Sequence, residues 1–452
     1  TPGQTLSVSF LGYNTQQIKV GSQTSFDITL TEDSKQISEV LVVGYTPMRK
    51  SDFTGSIASV KASELSATTP TVGQALGGKV AGVEVHQTSG APGDGVTIRV
   101  RGVNSLSASS APLYVIDGYP ASEDVFINPN DIESIDILKD AASAAIYGSR
   151  GASGVVLITT KRGKEQKPVV SLTANWQFQT PTRKDTYLDS YQSVMLLEEA
   201  LANDGLPSQY TAADIEMYRK SVAGQLSGLD ALLYPNVDWY DEVLKSSAPA
   251  QRYNASVRGG TKRMRYYASL EYYNQGSLFK ELSNDPYGNP SSLHYRRYGF
   301  RANADFFLSK DLTLSVNFGT RFEERKGPNS KEEADHSDIY YQANHIPGWL
   351  FPVAYQAQNG ETTKTLYAGT SQYQQNPYAI LAESGYYKGV NTVNETNFIA
   401  DYKMDWLTPG LSARAMMSFD YENYHRSLYS KSFATYELMK DNNGVPYDPT
   451  SI

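Results

Sequence analysis

From Lys167 to the end of the chain, long runs of residues alternate apolar and polar side chains one for one. Val170, Leu172, Ala174, Trp176 and Phe178 interleave with Ser171, Thr173, Asn175 and Gln177. Tyr298, Phe300, Ala302, Ala304, Phe306 and Leu308 interleave with Arg297, Arg301, Asn303 and Asp305. The pattern continues in Leu312–Phe318, Phe398–Trp406 and Leu411–Tyr421, and Tyr253–Val257 and Tyr266–Tyr272 fit it. Period-two alternation marks a β-strand with two unlike faces. The runs are about nine to thirteen residues long, against about five or six for an average soluble strand, and that is the length a tilted strand needs to cross a bilayer. The polar face carries charges, which suits a wet lumen. The expected fold class is therefore mainly β: a transmembrane antiparallel β-barrel, incomplete here.

Three connections between the runs are very short: Gly259–Arg263, Ser309–Asp311 and Thr408–Gly410. The others are long, at about 181–250, 277–294 and 327–392. Bacterial barrels combine short periplasmic turns with long extracellular loops, so the run at 169–179 is expected to head outward. The count is seven strands, odd and too few to close around the region that precedes them. A segment of a longer barrel is expected, because open sheet edges do not sit in lipid.

Composition excludes several other classes. No stretch of about 18 apolar residues is present, so no transmembrane helix is expected. Cysteine is absent, which removes disulfide scaffolds, thiolate metal sites and cysteine nucleophiles together. Lys and Arg number 40 against 48 Asp and Glu, a net charge of −8 that disfavours nucleic acid as a partner. Thr1-Pro2-Gly3 is not a leader, so any signal peptide is expected to be already removed.

Ahead of the barrel, Leu6–Phe10 and Phe26–Leu30 alternate with period two and are expected to be strands closing a small β-domain. After polar Thr31–Gln36 comes Ile37-Ser-Glu-Val-Leu-Val-Val-Gly-Tyr45, apolar and β-prone between solvating flanks. It reads either as a core strand or as a free strand that adds to another protein's sheet edge. Residues from about 54 to 163 read as a compact α+β region. Strands are expected at Val80–His86, Val96–Arg101, Leu113–Asp117, Ile132–Leu138 and Gly154–Thr160, and short helices at Val72–Leu76 and Asp140–Tyr147. Asp140 is placed to cap the second helix and Gly148 to end it.

No catalytic centre, metal site or cofactor site emerges, and an enzyme is not expected. Gly148–Gly154 has the wrong spacing and the wrong helix–loop–strand order for a dinucleotide loop; tight turns account for its glycines. The five histidines show no ligand spacing, and His336 beside Asp335 and Asp338 reads as solvated loop. Glu323-Glu324 and Glu332-Glu333 are adjacent pairs that diverge, unlike an opposed glycosidase pair, and no Gly-x-Ser-x-Gly occurs. The loop at 327–392 is rich in aromatics among amides. Tyr340, Tyr341, Trp349 and Phe351 are its candidates for contact with sugar rings or extended peptide. Barrel tyrosines and Trp406 suit an interfacial girdle.

Ile98-Arg-Val-Arg-Gly-Val-Asn-Ser-Leu106, Pro112-Leu-Tyr-Val-Ile-Asp-Gly118 and the run Asp131–Gly154, followed by Val155–Gly163, closely resemble the plug of SusC/RagA-type TonB-dependent transporters of Bacteroidetes. Phe10-Leu-Gly-Tyr13 resembles the end of the carboxypeptidase-regulatory-like domain of that family. Asp238-Trp-Tyr-Asp-Glu242 and Val257-Arg-Gly-Gly260 resemble the start of its barrel. The resemblance implies four regions: 1–31 the end of the regulatory-like domain, 32–50 a linker, 51–163 the plug, and 164–452 the first strands of a barrel of about 22. It makes Glu39, Val40, Leu41, Val42, Val43, Gly44 and Tyr45 the TonB box. It further implies TonB-dependent import of nutrient oligomers, glycan or peptide, across the outer membrane of a Gram-negative bacterium. The implied partners are a SusD-like surface lipoprotein as lid, TonB with the ExbB/ExbD energising complex, and outer-membrane lipid; a dimer of transporter–lid pairs is compatible with this. Arg99, Arg101, Asp117 and Asp136 are candidates for polar plug–barrel contacts, with pairing inside the plug an equal alternative. The second function considered is an outer-membrane receptor that binds ligand and signals without transporting it.

Overall fold

A computed structural model of the chain describes residues 57–439 except 66–68, 70, 88, 103–110, 122–126, 183, 283–292, 330–336 and 360–361, plus Ile28 and four short backbone segments near the start. Those segments are β1 (Thr5–Val8) paired with β2 (Gln16–Lys19), and β3 (Val40–Val43) paired with β4 (Thr46–Arg49), both antiparallel. β1 falls in an expected run, but its partner is Gln16–Lys19. The expected strand Phe26–Leu30 lies outside the described residues apart from Ile28, as do Glu39, Gly44 and Tyr45, the segment Phe10–Tyr13, and Asp335 and His336.

A compact α+β unit follows: β5 (Ile57–Lys61), α1 (Val72–Leu76), β6 (Val83–His86), β7 (Thr97–Val100), β8 (Leu113–Ile116), β9 (Tyr119–Pro120), β10 (Ile132–Leu138), α2 (Ala141–Ala144) and β11 (Val155–Thr160). Five strands form one sheet in the order β5-β10-β11-β8-β9, and β6 pairs with β7. Ile98, Ile135, Ile137, Val156 and Ile158 pack in one core cluster, and Val115, Leu138, Val155 and Leu157 in another. The central strands are apolar on both faces for this reason, and Val155-Val-Leu-Ile158 shows no alternation. Asp140 caps α2 as expected, accepting from the Ser143 amide at 2.7 Å. As expected, the chain leaves the helical path at Gly148, which stands at φ +59 and ψ −144; a separate short helical turn follows to Gly151. Asp117 and Gly118, both at positive φ, make the Asp-Gly turn that folds β9 back onto β8.

The rest is one antiparallel sheet with excursions. β12 (Gln166–Gln179) leads to α3 (Ser190–Asn203), α4 (Ala212–Val222), α5 (Gly228–Leu233) and α6 (Trp239–Val243). Then come β13 (Ala248–Gly260), β14 (Met264–Gly276), β15 (His294–Phe307) and β16 (Leu312–Pro328). After α7 (Ser337–His345), the hairpin β17 (Ala354–Asn359) and β18 (Thr362–Tyr367), and α8 (Pro377–Glu383), the sheet resumes with β19 (Gly385–Lys403) and β20 (Ser412–Ser430). The order β12-β13-β14-β15-β16-β19-β20 is a meander, every neighbour antiparallel. These are the seven expected strands, joined by the three expected tight turns.

The faces also match the alternation. Leu172, Leu270, Phe300 and Met417 lie exposed on one side, while Arg252, Arg297 and Asn303 on the other are buried against the α+β unit. Trp176, Tyr253, Tyr272, Tyr298 and Phe322 form a row across five neighbouring strands, with ring centroids 5.2 to 6.3 Å apart. The strands run to 13–19 residues, longer than the alternation alone predicts. Beyond the aromatic row the outer face turns polar, and cross-strand ion pairs carry the sheet further. Among the described residues no helix is long and apolar enough to cross a membrane.

Candidate functional site

The long excursions pack over one end of the sheet on their own core, in which Trp239, Ile339, Phe351 and Leu381 are buried. Between this core and the α+β unit lies a cavity of about 1070 Å³. Its floor is the turn Ser89–Pro92 with Gln74 and Gln87; its sides are Gln179 and Gln275 from the strand ends; Tyr240, Phe279 and Tyr340 come from the excursions. Among the described residues, amides, hydroxyls, aliphatic side chains and flat rings share the lining with one charged group, Lys184, which pairs with Asp241. Gln275 Nε2 donates to Gln179 Oε1 at 3.2 Å, and Gln87 Nε2 donates to the Ser89 carbonyl at 2.8 Å. Such a lining offers both donors and acceptors, with apolar faces to stack on.

The turn beneath the cavity is also fixed to the wall. The Gly93 amide donates to Gln275 Oε1 at 3.2 Å, and Arg325 pairs with Asp94 at 2.8 Å. Gly93 stands at φ +78 with its α-carbon against the Tyr295 ring; a Cβ there would lie 2.4 Å from the ring. Glycine alone meets both the backbone and the space.

Below the turn, further ties seat the α+β unit in the sheet. Arg252, fully buried, donates to the Thr69 carbonyl at 2.9 Å; beside it, within the wall itself, Glu271 accepts from Arg297 through both carboxylate oxygens at 3.0 and 3.1 Å. Tyr267 donates to Asp131 at 2.7 Å, and burial pushes that carboxyl above its usual range. Arg162 pairs with Asp305 at 2.8 Å. Asn303 Nδ2 donates to both Thr160 Oγ1 and the Lys161 carbonyl at 2.8 Å.

A plug seated in a sheet of transmembrane length is also what comparison with known proteins finds. The model of the TonB-dependent receptor plug domain matches residues 49–155. TonB-dependent receptor P26 of Formosa agariphila is 39% identical over 315 residues, 67% of this chain and 30% of that protein. TonB-dependent receptor SusC of Bacteroides thetaiotaomicron is 33% identical over 329 residues, 70% of this chain and 29% of SusC. The chain belongs to the SusC/RagA-type TonB-dependent transporters. It spans about a third of the length of these curated relatives. Its fold is that of the RagAB peptide importer in the 'open-open' state, with a TM-score of 0.64 at 24% identity over 88% of this chain and 44% of that one.

Among the described residues of this SusC/RagA-type chain, Asp136 and Asp117 pair inside the plug, the alternative weighed for each. Asp136 accepts from Ser59 and Ser134 inside the plug. Asp117 accepts from the Thr160 amide at 3.0 Å and its hydroxyl at 2.5 Å, and so orients the very oxygen that accepts from Asn303. Arg99 lies opposite Glu84 in the β6–β7 hairpin, and Arg101 is exposed just past β7. Among the residues that tie plug to wall, the side chains of Asp94, Asp131, Thr160 and Arg162 were missed by sequence reasoning. Asp131 opens the family-like run, but its partner Tyr267 is 136 residues away, and no local signal links them.

The loop aromatics divide. Tyr340 lines the cavity and packs on Phe279 at 5.0 Å. Phe351 is a correction: it is 2% exposed and packs against Trp239, because the excursions need a core of their own. Tyr341 is exposed and stacks on His345, and Trp349 accepts the Tyr218 hydroxyl on its carbonyl at 3.0 Å, within the helical excursion. Val40–Val43 of the expected TonB box form β3, in a four-residue pairing with β4.

Proposed function

We propose that the whole protein imports a polar nutrient oligomer, glycan or peptide, across the outer membrane of a Gram-negative bacterium, driven by TonB. The observation that carries this reading is the double role of the turn at 89–94. One side lines the cavity and the other is fixed to the wall by Gln275 and Arg325. A ligand that prefers one arrangement of the turn thereby biases the seating of the plug, which is what coupling between two sites requires. The amides, hydroxyls and rings of the lining suit hydroxyl-rich or backbone-amide ligands. Family membership supports a SusD-like lipoprotein closing the cavity from the loop side. No catalytic step enters the reading.

In this reading residues 1–31 close a regulatory-like domain, 32–50 carry the TonB box, 51–163 are the plug and 164–452 the barrel segment. The box, Glu39–Tyr45, leaves its pairing and adds to the TonB sheet. A two-stranded pair of four residues is marginal by itself, so release costs little. Deleting Ile37–Tyr45 from the intact protein is expected to abolish growth on the nutrient while ligand still binds. Normal growth would overturn the assignment. Native mass spectrometry of the protein from its own membrane names the cargo class and the lid in the same measurement.

A further inference from the structure

Deeper between plug and wall lies a second cavity, of about 180 Å³. Ile116, Asp117 and Tyr119, at the end of β8 and the turn into β9, form its plug side. Its wall side comes from β15, β16, β19 and β20, through Arg301, Asn317, Glu395 and Asp420. The strand register shows how it is built. Arg301, Gly319, Glu395 and Asp420 stand opposite one another in turn across these four strands. A Cβ on Gly319 would lie 3.1 Å from the Arg301 guanidinium, so the bare α-carbon lets that side chain cross β16 and reach Glu395 at 3.5 Å. Two residues nearer the tight turns, Asn303, Asn317 and Asn397 stand opposite one another, all three buried. Asn303 is engaged by Thr160 and Lys161 of the plug, and Asn397 accepts from the Ser418 hydroxyl. Asn317 between them is 3% exposed, and among the described residues neither its amide oxygen nor its amide nitrogen has a partner. A buried amide without partners is costly, and this one lines the cavity.

We propose that this cavity binds a single sugar residue, as a second station for a glycan cargo between the upper cavity and the periplasm. Asn317 offers a donor and an acceptor side by side, which match neighbouring hydroxyls on a sugar ring. The carboxylates around it do not call for a cation: Asp117 accepts from Thr160, Glu395 pairs with Arg301, and Asp420 accepts from the Tyr119 hydroxyl. Each keeps lone pairs for further hydroxyls. Ile116 and Val393 supply an apolar surface for the C–H face of the ring. A cavity of about 150 Å³ takes one six-membered ring, so this one suits a single residue and not an extended peptide. On β16, Asn317 stands eight residues below Arg325, which holds the turn under the upper cavity, and five above Leu312 at the tight turn. The two sites are thus about 26 Å apart along the strand. As a station on the route the cavity rests on the import reading; as a sugar site it does not.

The test reads the cavity directly, on the intact membrane protein that contains this chain, purified in neutral detergent. Val393→Cys, on the cavity wall, is the reporter. Its labelling by 2-hydroxyethyl methanethiosulfonate is timed by mass spectrometry against the same protein without the reporter. D-glucose, D-galactose, D-mannose, glycylglycine and tetramethylammonium chloride are each titrated as competing probes. Bound ligand slows labelling by one plus the ratio of its concentration to Kd, so a sugar at twice its Kd is expected to slow it about threefold. Asn317→Leu is expected to abolish that protection and to melt no lower than wild type, because it removes a buried amide that has no protein partner. No protection by any of the three sugars overturns the proposal, and so does protection that survives Asn317→Leu or a reporter that the reagent does not reach. A lowered melting midpoint counts against it too, since Asn317 would then be held by the protein. Protection by glycylglycine or tetramethylammonium equal to that by sugar overturns the sugar assignment in favour of a peptide or a cation. If Asn317→Leu fails to assemble, Asn317→Ser is read in the same way. Import is scored separately: failure of the transport reading leaves the protection untouched, and failure of this site leaves import untouched.

Discussion

At the scale of single residues, the seat of the plug depends on a few positions with no freedom. Gly93 combines φ +78 with a ring at its α-carbon, so Gly93→Ala is expected to lift the turn off the wall. The backbone alone costs about 1–2 kcal/mol there. Hydrogen exchange across 89–96 is expected to speed up while the plug core stays protected. Asp131 works in the other direction. Burial raises its pKa, so the folded protein holds that proton more tightly than the unfolded chain does. Its contribution to stability is therefore greatest in acid and fades as pH rises through the raised value. Asp131→Asn keeps an acceptor for Tyr267 and removes the buried charge; its melting midpoint near neutral pH is expected to equal or exceed wild type. Asp131→Ala loses the acceptor and is expected to cost about 1–2 kcal/mol. Asp140 was legible in the sequence because a cap acts within three residues. Asn303 was not, because its partner Thr160 lies 143 residues away.

Among elements, the barrel strands were the most legible, since lipid on one side and water on the other impose strict alternation. Their full length was not, because outside the bilayer both faces are polar and ion pairs replace alternation. The face assignment has a direct test. Phe300→Asp with Val316→Asp is expected to lower the amount of assembled protein in the membrane, at up to about 2 kcal/mol per site. Wild-type levels on a heat-modifiability gel would reverse the assignment. The helices of the long excursions were not foreseen, although their start signals are present. Asp189 accepts from the Gln192 amide at 2.8 Å, and Thr211 with Asp214 makes a capping box. Their apolar residues are shared between a small core and an exposed surface, where Met195, Leu196 and Leu206 stand, so no clean stripe announces them.

For the whole molecule, the Asp94–Arg325 pair is where cavity, plug and wall meet. Asp94→Ala and Arg325→Ala are each expected to loosen the turn, and the double variant to cost less than the sum, with a coupling near 1 kcal/mol. Additive losses in denaturant unfolding of the plug would place the coupling elsewhere. The sheet order of the plug adds a mechanical consequence. β5 is an edge strand, the first element of the sheet in the chain, and it is joined to β10 along Ile57–Lys61 with Ile57 opposite Leu138. Force applied ahead of Ile57 meets that edge first. Directed across the sheet, it peels one rung at a time at low load; directed along the strand, it must shear every rung at once. Peeling strips β5 and leaves β10, β11, β8 and β9 joined, so the same joint yields to a tug from one direction and resists it from another.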